Sequence, residues 1–143
     1  MQKPALTHIA LHVVDLDACV KFYQEYAQLN IVRERKIPVG DHIKRIVWLA
    51  ESGKEQDFIL VILPNGPQKT QQDNDFSHLG FALGSKACVD NIAEKADQAG
   101  ILVWPCKQES YPVGYYCGIK DPDGNFVEFS YGQPLGPGAK ELT

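Results

Sequence analysis

The sequence predicts an α+β protein of two βαβββ modules, related by a pseudo-twofold axis and forming a cupped mixed β-sheet with its helices outside. Three observations predict this fold. Apolar and polar residues alternate in two short segments of the chain, and a helical apolar period follows each segment. Matching residues of the two halves are separated by a nearly constant number of positions. With 44% hydrophobic and 22% charged residues in a chain of 143, the composition is typical of a globular protein.

The first module is predicted over residues 6–63. It opens with an alternating strand, and Asp15 is a candidate N-cap for a helix that ends near Leu29. Turn residues then separate three strand-like runs. The predicted elements are a strand at 7–14, a helix at 15–29, and strands at 31–37, 43–50 and 57–63.

A second module is predicted over residues 76–132, after a polar, Pro- and Gly-containing linker at 64–75. The same order of elements returns, so the module is again βαβββ. Its elements are a strand at 77–83, a helix at 85–99, and strands at 101–106, 114–120 and 125–132. Residues 133–143 have no apolar period and are expected to form a C-terminal tail, extended as an arm.

Two pairs of residues mark the repeat. His8 and His78 stand 70 positions apart at matching places in the two first strands, and Cys19 and Cys88 stand 69 apart in the two helices. A register kept through strand and helix indicates a true internal repeat. The four cysteines lack the spacing of a zinc site or a disulfide scaffold, so we expect reduced thiols, with Cys19 and Cys88 buried as small hydrophobes.

The repeat brings two histidines to one face. In each first strand the apolar residues must cover the helix side, so His8 and His78 lie on the opposite, inner face. Glu128 stands between Val127 and Phe129, which point to the helix side, so Glu128 lies on the inner face with His8 and His78. A carboxylate within an apolar strand needs its charge compensated, and a divalent cation bound by two imidazoles would do so. We therefore predict that His8, His78 and Glu128 bind one divalent metal.

Structural roles remain as alternatives for such residues. A single histidine in a strand is more often hydrogen-bonded than a metal ligand, and we assign that role to His12 and His42, which the repeat does not match. Glu128 has the alternative of a salt bridge within the sheet. Its apolar neighbours in the sequence make this alternative the weaker one.

The pattern resembles the vicinal oxygen chelate superfamily, which includes glyoxalase I, bleomycin-resistance proteins, fosfomycin-modifying thiol transferases and extradiol dioxygenases. The resemblance covers about residues 6–132. It rests on the strand that begins at His8, on Phe22-Tyr23, on His78, and on the turn Asp121-Pro122-Asp123-Gly124 before the strand that carries Glu128. The resemblance implies paired βαβββ modules that form a cup around a metal, which chelates neighbouring oxygens of a small molecule.

Each subfamily leaves a mismatch. Glyoxalase I has a fourth ligand, a Glu, where this chain has Val61, and fosfomycin enzymes have a hydroxyl residue at the place of Ala10. Extradiol dioxygenases have a catalytic Tyr where this chain has Gly118, so Tyr115 or Tyr116 would have to replace it. The resemblance therefore favours chemistry other than that of standard glyoxalase I.

The resulting functional prediction is a metal-dependent, glyoxalase-like enzyme of lyase, isomerase or dioxygenase type. It would act on a small oxygenated organic molecule by bidentate chelation to Fe, Mn, Zn or Ni, with Glu128, Tyr115 and Tyr116 as catalytic residues. The alternative is a protein similar to the bleomycin-resistance proteins, which sequesters a small molecule without turnover.

Charge and hydropathy limit the partners. The net charge of −4 and the lack of a Lys/Arg stripe exclude a nucleic-acid surface. No apolar run reaches the roughly 20 residues that cross a bilayer, so we expect no membrane partner and a cytoplasmic location. A homodimer is expected from the build of the resembling proteins.

Overall fold

A computed structural model describes residues 2–139 of the chain. Within this range no helix is both long and apolar enough to span a bilayer. The elements in chain order are β1 (His8–His12), α1 (Leu16–Tyr26), β2 (Asn30–Val39), β3 (His42–Ala50), β4 (Ile59–Leu63), β5 (His78–Ala82), α2 (Lys86–Gln98), β6 (Leu102–Gln108), β7 (Tyr115–Lys120) and β8 (Phe126–Tyr131).

The chain divides into two compact units, the first ending at Lys69 and the second starting at Thr70. Each unit contains one helix and one four-stranded mixed sheet, ordered β1-β4-β3-β2 in the first and β5-β8-β7-β6 in the second. In each sheet the first and last strands of the unit pair in parallel and the remaining pairs are antiparallel. The predicted α+β class and the two similar βαβββ modules are confirmed. The last four residues of the predicted tail lie outside the described residues.

In the first unit the helix is fixed by its cap and its apolar stripe. The Asp15 carboxylate accepts a hydrogen bond from the Ala18 amide at 3.1 Å, which satisfies one of the free N–H groups at the helix start. The buried face of α1 packs on its own sheet. The residues that are less than 5% exposed in this core are Val13, Cys19, Val20, Tyr23, Val47, Leu49, Ala50 and Ile62.

The second unit repeats this arrangement with a different cap. The Ser85 hydroxyl accepts from the Cys88 amide at 3.1 Å, and α2 buries its apolar stripe against the sheet. The expectation that both repeated cysteines are buried is wrong for one of them. Cys19 is fully buried, whereas Cys88 is exposed. Cys19 is the fourth residue after its N-cap and Cys88 only the third, so Val89, which is fully buried, holds the place of Cys19.

The strand register assigns Val61 to the place that Glu128 holds in the second unit. Val61 pairs with Ala10 on the parallel side and with Trp48 on the antiparallel side of β4. Glu128 pairs in the same way with the matching strands β5 and β7. Val61 is only 7% exposed, so the first unit fills with an aliphatic side chain the position where the second unit carries a carboxylate.

Gly66 holds the end of the first unit against the end of β1. Its amide donates to the Val13 carbonyl at 2.8 Å, and a Cβ built on it would lie 2.3 Å from the His12 carbonyl oxygen. Backbone atoms cannot give way as a flexible side chain can. We expect Gly66→Ala to lower the free energy of unfolding by about 1 to 3 kcal/mol, measured by urea denaturation.

The matched control is Gly84→Ala, because a Cβ at Gly84 meets no atom within 4 Å. Its free energy of unfolding should stay within about 0.5 kcal/mol of that of the native protein. Equal stability of the two variants would contradict the close approach at Gly66.

Candidate functional site

A histidine and a buried carboxylate meet in the second unit. His78 opens β5 and Glu128 stands in the middle of β8, its parallel neighbour, on the same face of the sheet. His78 Nε2 lies 3.0 Å from Glu128 Oε2. The side chain of Glu128 is 9% exposed and that of His78 is 35% exposed. The structure therefore brings together two of the three predicted metal ligands, and only one of them is open to solvent.

The backbone fixes the proton of His78. Its Nδ1 lies 2.6 Å from the Phe76 carbonyl oxygen, which only accepts hydrogen bonds, so Nδ1 carries the proton. In the neutral ring Nε2 then has a lone pair, and this lone pair faces Glu128 Oε2. Two acceptors at this distance need a proton or a cation between them. A carbonyl on Nδ1 is also the usual support for a histidine that binds metal through Nε2.

Glycines flank Glu128 on both neighbouring strands. Gly80 pairs with it from β5 and Gly118 from β7, so neither neighbour places a side chain over the carboxylate. A Cβ at Gly80 would lie 3.6 Å from Glu128 Oε2, whereas a Cβ at Gly118 would lie 2.2 Å from Trp104 Cε3. The indole of Trp104 therefore lies directly on Gly118, beside the carboxylate.

Trp104 is the centre of an aromatic wall. Its ring meets the His78 ring edge to face, with centroids 5.5 Å apart, and lies 6.0 Å from the Phe76 ring and 5.4 Å from the Phe126 ring. Next to it is a mostly apolar cavity of about 390 Å³. The cavity is lined by Phe76, His78, Val103, Trp104, Pro105, Lys107, Val113, Tyr116 and Glu128.

Tyr116 is the tyrosine that reaches this cavity. It lies on β7 two residues from Gly118, so its side chain shares the face of Glu128, and it lines the cavity. Burial raises the pKa of the Tyr116 phenol, and its hydrogen bond to Glu109 raises it further. The phenol is therefore protonated at neutral pH, with its one O–H donated to the Glu109 carboxylate.

Tyr115 faces the other way. Its hydroxyl donates to the carboxylate of Asp90 on α2, and this bond is the main reason why the pKa of Tyr115 is raised. Lys86 of the same helix lies over the Tyr115 ring, 5.5 Å from its centroid. The structure does not bring Tyr115 together with Glu128, since the two side chains leave opposite faces of the sheet.

Two glutamines that the sequence assigned to a linker and a tail support the site. Gln71 accepts from the Phe126 amide at 3.0 Å and donates to the carbonyls of Asp75 and Ser77, which fixes the chain just before His78. Gln133 donates to Glu128 Oε1 at 3.3 Å and to the Val113 carbonyl at 2.9 Å. No local pattern in the sequence identifies either contact.

His8 occupies the place in the first unit that His78 holds in the second. It opens β1, is exposed, and has its Nδ1 2.9 Å from the Thr7 hydroxyl. Within residues 2–139, neither unit by itself gathers three or more His, Cys, Asp or Glu side chains that would hold a metal ion. The other two histidines belong to the first unit: His12 Nε2 is 3.0 Å from the Pro64 carbonyl, and His42 opens β3.

Comparison with known protein families assigns the chain to a superfamily. The family model of the Glyoxalase/Bleomycin resistance protein/Dioxygenase superfamily matches residues 5–129. The chain belongs to this superfamily. Its two βαβββ units and the resemblance given by His8, His78 and the Asp-Pro-Asp-Gly turn agree with that assignment.

Two curated relatives and one solved structure illustrate the superfamily. The chain is 53% identical over 139 residues to Uncharacterized protein PA2024 of Pseudomonas aeruginosa, covering 97% of this chain and 96% of the relative. It is 27% identical over 128 residues to a Synechocystis protein named “Probable lactoylglutathione lyase”, covering 86% and 92%. A mutant of the fosfomycin resistance protein FosX of Listeria monocytogenes, complexed with Mn(II) and 1S,2S-dihydroxypropylphosphonic acid, has a TM-score of 0.66 at 19% identity, covering 90% and 93%.

We expect the two glycines beside Glu128 to differ in how well they tolerate an added methyl group. Gly118→Ala must displace the Trp104 ring, so we expect the free energy of unfolding to fall by about 1 to 3 kcal/mol and the tryptophan emission to shift. Gly80→Ala makes only an ordinary contact, at 3.6 Å, and should change neither. Urea denaturation followed by fluorescence measures both. An unchanged emission spectrum in Gly118→Ala would contradict the packing of Trp104 on Gly118.

Proposed function

We propose that the chain is a metal-dependent, glyoxalase-like enzyme of its superfamily, of lyase, isomerase or dioxygenase type, acting on a small oxygenated organic molecule. One divalent ion, Fe, Mn, Zn or Ni, is held by His8, His78 and Glu128. The observation that carries this proposal is the 3.0 Å approach of His78 Nε2 to an oxygen of the buried Glu128 carboxylate, with Nδ1 of the same ring directed to a backbone carbonyl.

The donor set fits a divalent cation. A buried carboxylate is costly without a compensating charge, and a neutral imidazole supplies none. His78 and Glu128 provide one nitrogen and one oxygen donor, and His8 is proposed as the third ligand because the repeat gives it the position of His78. His8 would come from the same chain or from a second copy in the expected homodimer. When bound, the ion would stabilise negative charge on neighbouring oxygens of the substrate.

The residues of the cavity have distinct roles in this proposal. The Tyr116 phenol, protonated at neutral pH, would donate to a substrate oxygen that takes the place of Glu109 as its acceptor. Glu128 acts as a ligand, and Val61 provides no second carboxylate for proton transfer. The wall of Trp104 and Phe76 packs on an apolar part of the substrate and excludes water from the reacting end. Tyr115 has no step, since its hydroxyl is directed to Asp90.

The relatives support this class of activity. A relative with 27% identity is named as a lactoylglutathione lyase, and a structural neighbour was solved with Mn(II) and a dihydroxylated phosphonic acid. For this chain, Val61 in the place of a second carboxylate favours a reaction other than the isomerisation of glyoxalase I, which uses that carboxylate in proton transfer.

Removing one of the proposed ligands should strongly weaken metal binding. We expect His78→Ala and Glu128→Gln each to weaken Mn(II) binding more than about 100-fold, because loss of a direct ligand should cost more than the 10- to 100-fold loss typical of its supporting groups. His8→Ala should weaken it comparably. Isothermal titration calorimetry of the metal-free proteins measures the affinity.

The control for these variants is His42→Ala, which removes an exposed imidazole at the start of β3. It should bind Mn(II) as the native protein does. If His78→Ala binds the ion as tightly as His42→Ala, the proposed site is wrong.

Sequestration of a ligand without turnover is the second candidate, and the apolar lining around Trp104 is the observation that favours it. Catechols and hemithioacetals, tested with Fe(II) or Mn(II) in the absence and presence of oxygen, separate the two functions. We expect turnover of at least one substrate class that His78→Ala abolishes. Quenching of the tryptophan fluorescence by aromatic ligands, with no turnover under any of these metals, would support sequestration instead.

A further inference from the structure

The side chain of Gln133 bridges Glu128 and the backbone of Val113, and the proposed function has so far given this contact no role. The residue follows β8 and Gly132, whose φ of +88° turns the chain back at the end of the strand. The returning side chain places its Nε2 3.3 Å from Glu128 Oε1 and 2.9 Å from the Val113 carbonyl oxygen. Both partners only accept hydrogen bonds, so the amide must present its nitrogen, and both N–H groups are used.

This bridge determines how the carboxylate of Glu128 is turned. With Oε1 bound to Gln133, Oε2 is the oxygen directed at His78 Nε2. The terminal torsion of a glutamate is otherwise broad, so a donor on one oxygen restricts the direction of the other. The residues that flank Glu128, Gly80 and Gly118, have no side chain that could orient the carboxylate.

The same amide joins the carboxylate to a wall of the cavity. Val113 lines the cavity, and the loop before β7 is held at its ends by the bond from the Glu109 amide to the Gly114 carbonyl. Gln133 is bonded to this loop and to Glu128 at once. A change at Gln133 would therefore affect both the direction of a metal ligand and the place of a cavity residue.

We propose that Gln133 is a positioning residue of the metal site, which orients Glu128 Oε2 and fixes the Val113 loop beside it. This inference rests on the proposed function, in which Glu128 is a ligand. Gln133 touches neither substrate nor metal and acts only through Glu128 and Val113. Groups that hold a ligand in this way typically contribute 10- to 100-fold to metal affinity.

The test is Gln133→Met, which keeps the length and most of the packing of the side chain and removes both donors. We expect its Mn(II) affinity, measured by calorimetry, to fall about 10- to 100-fold, while circular dichroism shows an unchanged fold. The matched control is Gln108→Met, since Gln108 also donates to a backbone carbonyl, that of Glu109 at 2.9 Å, on an exposed part of β6. Its affinity should change less than about twofold.

A second measurement needs no variant. In the native, metal-free protein, NMR should show the side-chain NH₂ of Gln133 exchanging with water more slowly than that of an exposed glutamine, because both donors are bonded. Exchange at the rate of a free amide would overturn the bridge.

The outcomes separate the two proposals. Loss of Mn(II) binding in His78→Ala, together with native affinity in Gln133→Met, would overturn the positioning role and leave the metal site standing. Native affinity in both variants would overturn the metal site, and the positioning role with it. Weakened binding in both, with native binding in Gln108→Met, supports both proposals.

Discussion

The site in the second unit is arranged around the contact between His78 Nε2 and Glu128 Oε2, because the charge of a carboxylate that is 9% exposed must be compensated. The sheet supplies the approach, since β5 and β8 pair in parallel and carry the two side chains on one face. The carbonyl of Phe76 fixes a proton on Nδ1, so Nε2 is the ring nitrogen of His78 that is directed at Glu128. Gly80 and Gly118 place no side chain over the Glu128 carboxylate. The hydrogen bond from Gln133 and the ring of Trp104 contact Glu128 and His78, respectively.

The two units share a fold but differ at the one position that carries the charge. Glu128 lies between glycines, whereas its counterpart Val61 lies between Ala10 and Trp48 and packs as an aliphatic core residue. A repeat need not keep both copies of a site, because one carboxylate suffices where two imidazoles complete the set. This asymmetry is the reason why the reaction that we propose differs from that of a site with two carboxylates.

Much of this arrangement follows from the period of the sequence. Strand alternation alone predicts that His78 and Glu128 share a face, and the helical stripes and Gly turns predict both βαβββ units. Alternation does not say which tyrosine serves the site, because that depends on which face the register gives to Tyr116. The contacts of Gln71 and Gln133 cannot be predicted from the sequence. Both residues lie in polar segments without an apolar period, and their hydrogen-bond partners depend on how these segments pack in the folded unit. The exposure of Cys88 likewise depends on where the helix begins.

Anomalous diffraction from crystals grown with Mn(II) would show whether His78 and Glu128 bind a divalent ion. We predict a single strong peak between His78 Nε2 and the Glu128 carboxylate, within about 2.0 to 2.3 Å of each donor atom, as is usual for divalent ions with nitrogen and oxygen ligands. A peak bound elsewhere, with His78 and Glu128 still in direct hydrogen-bond contact, would contradict it.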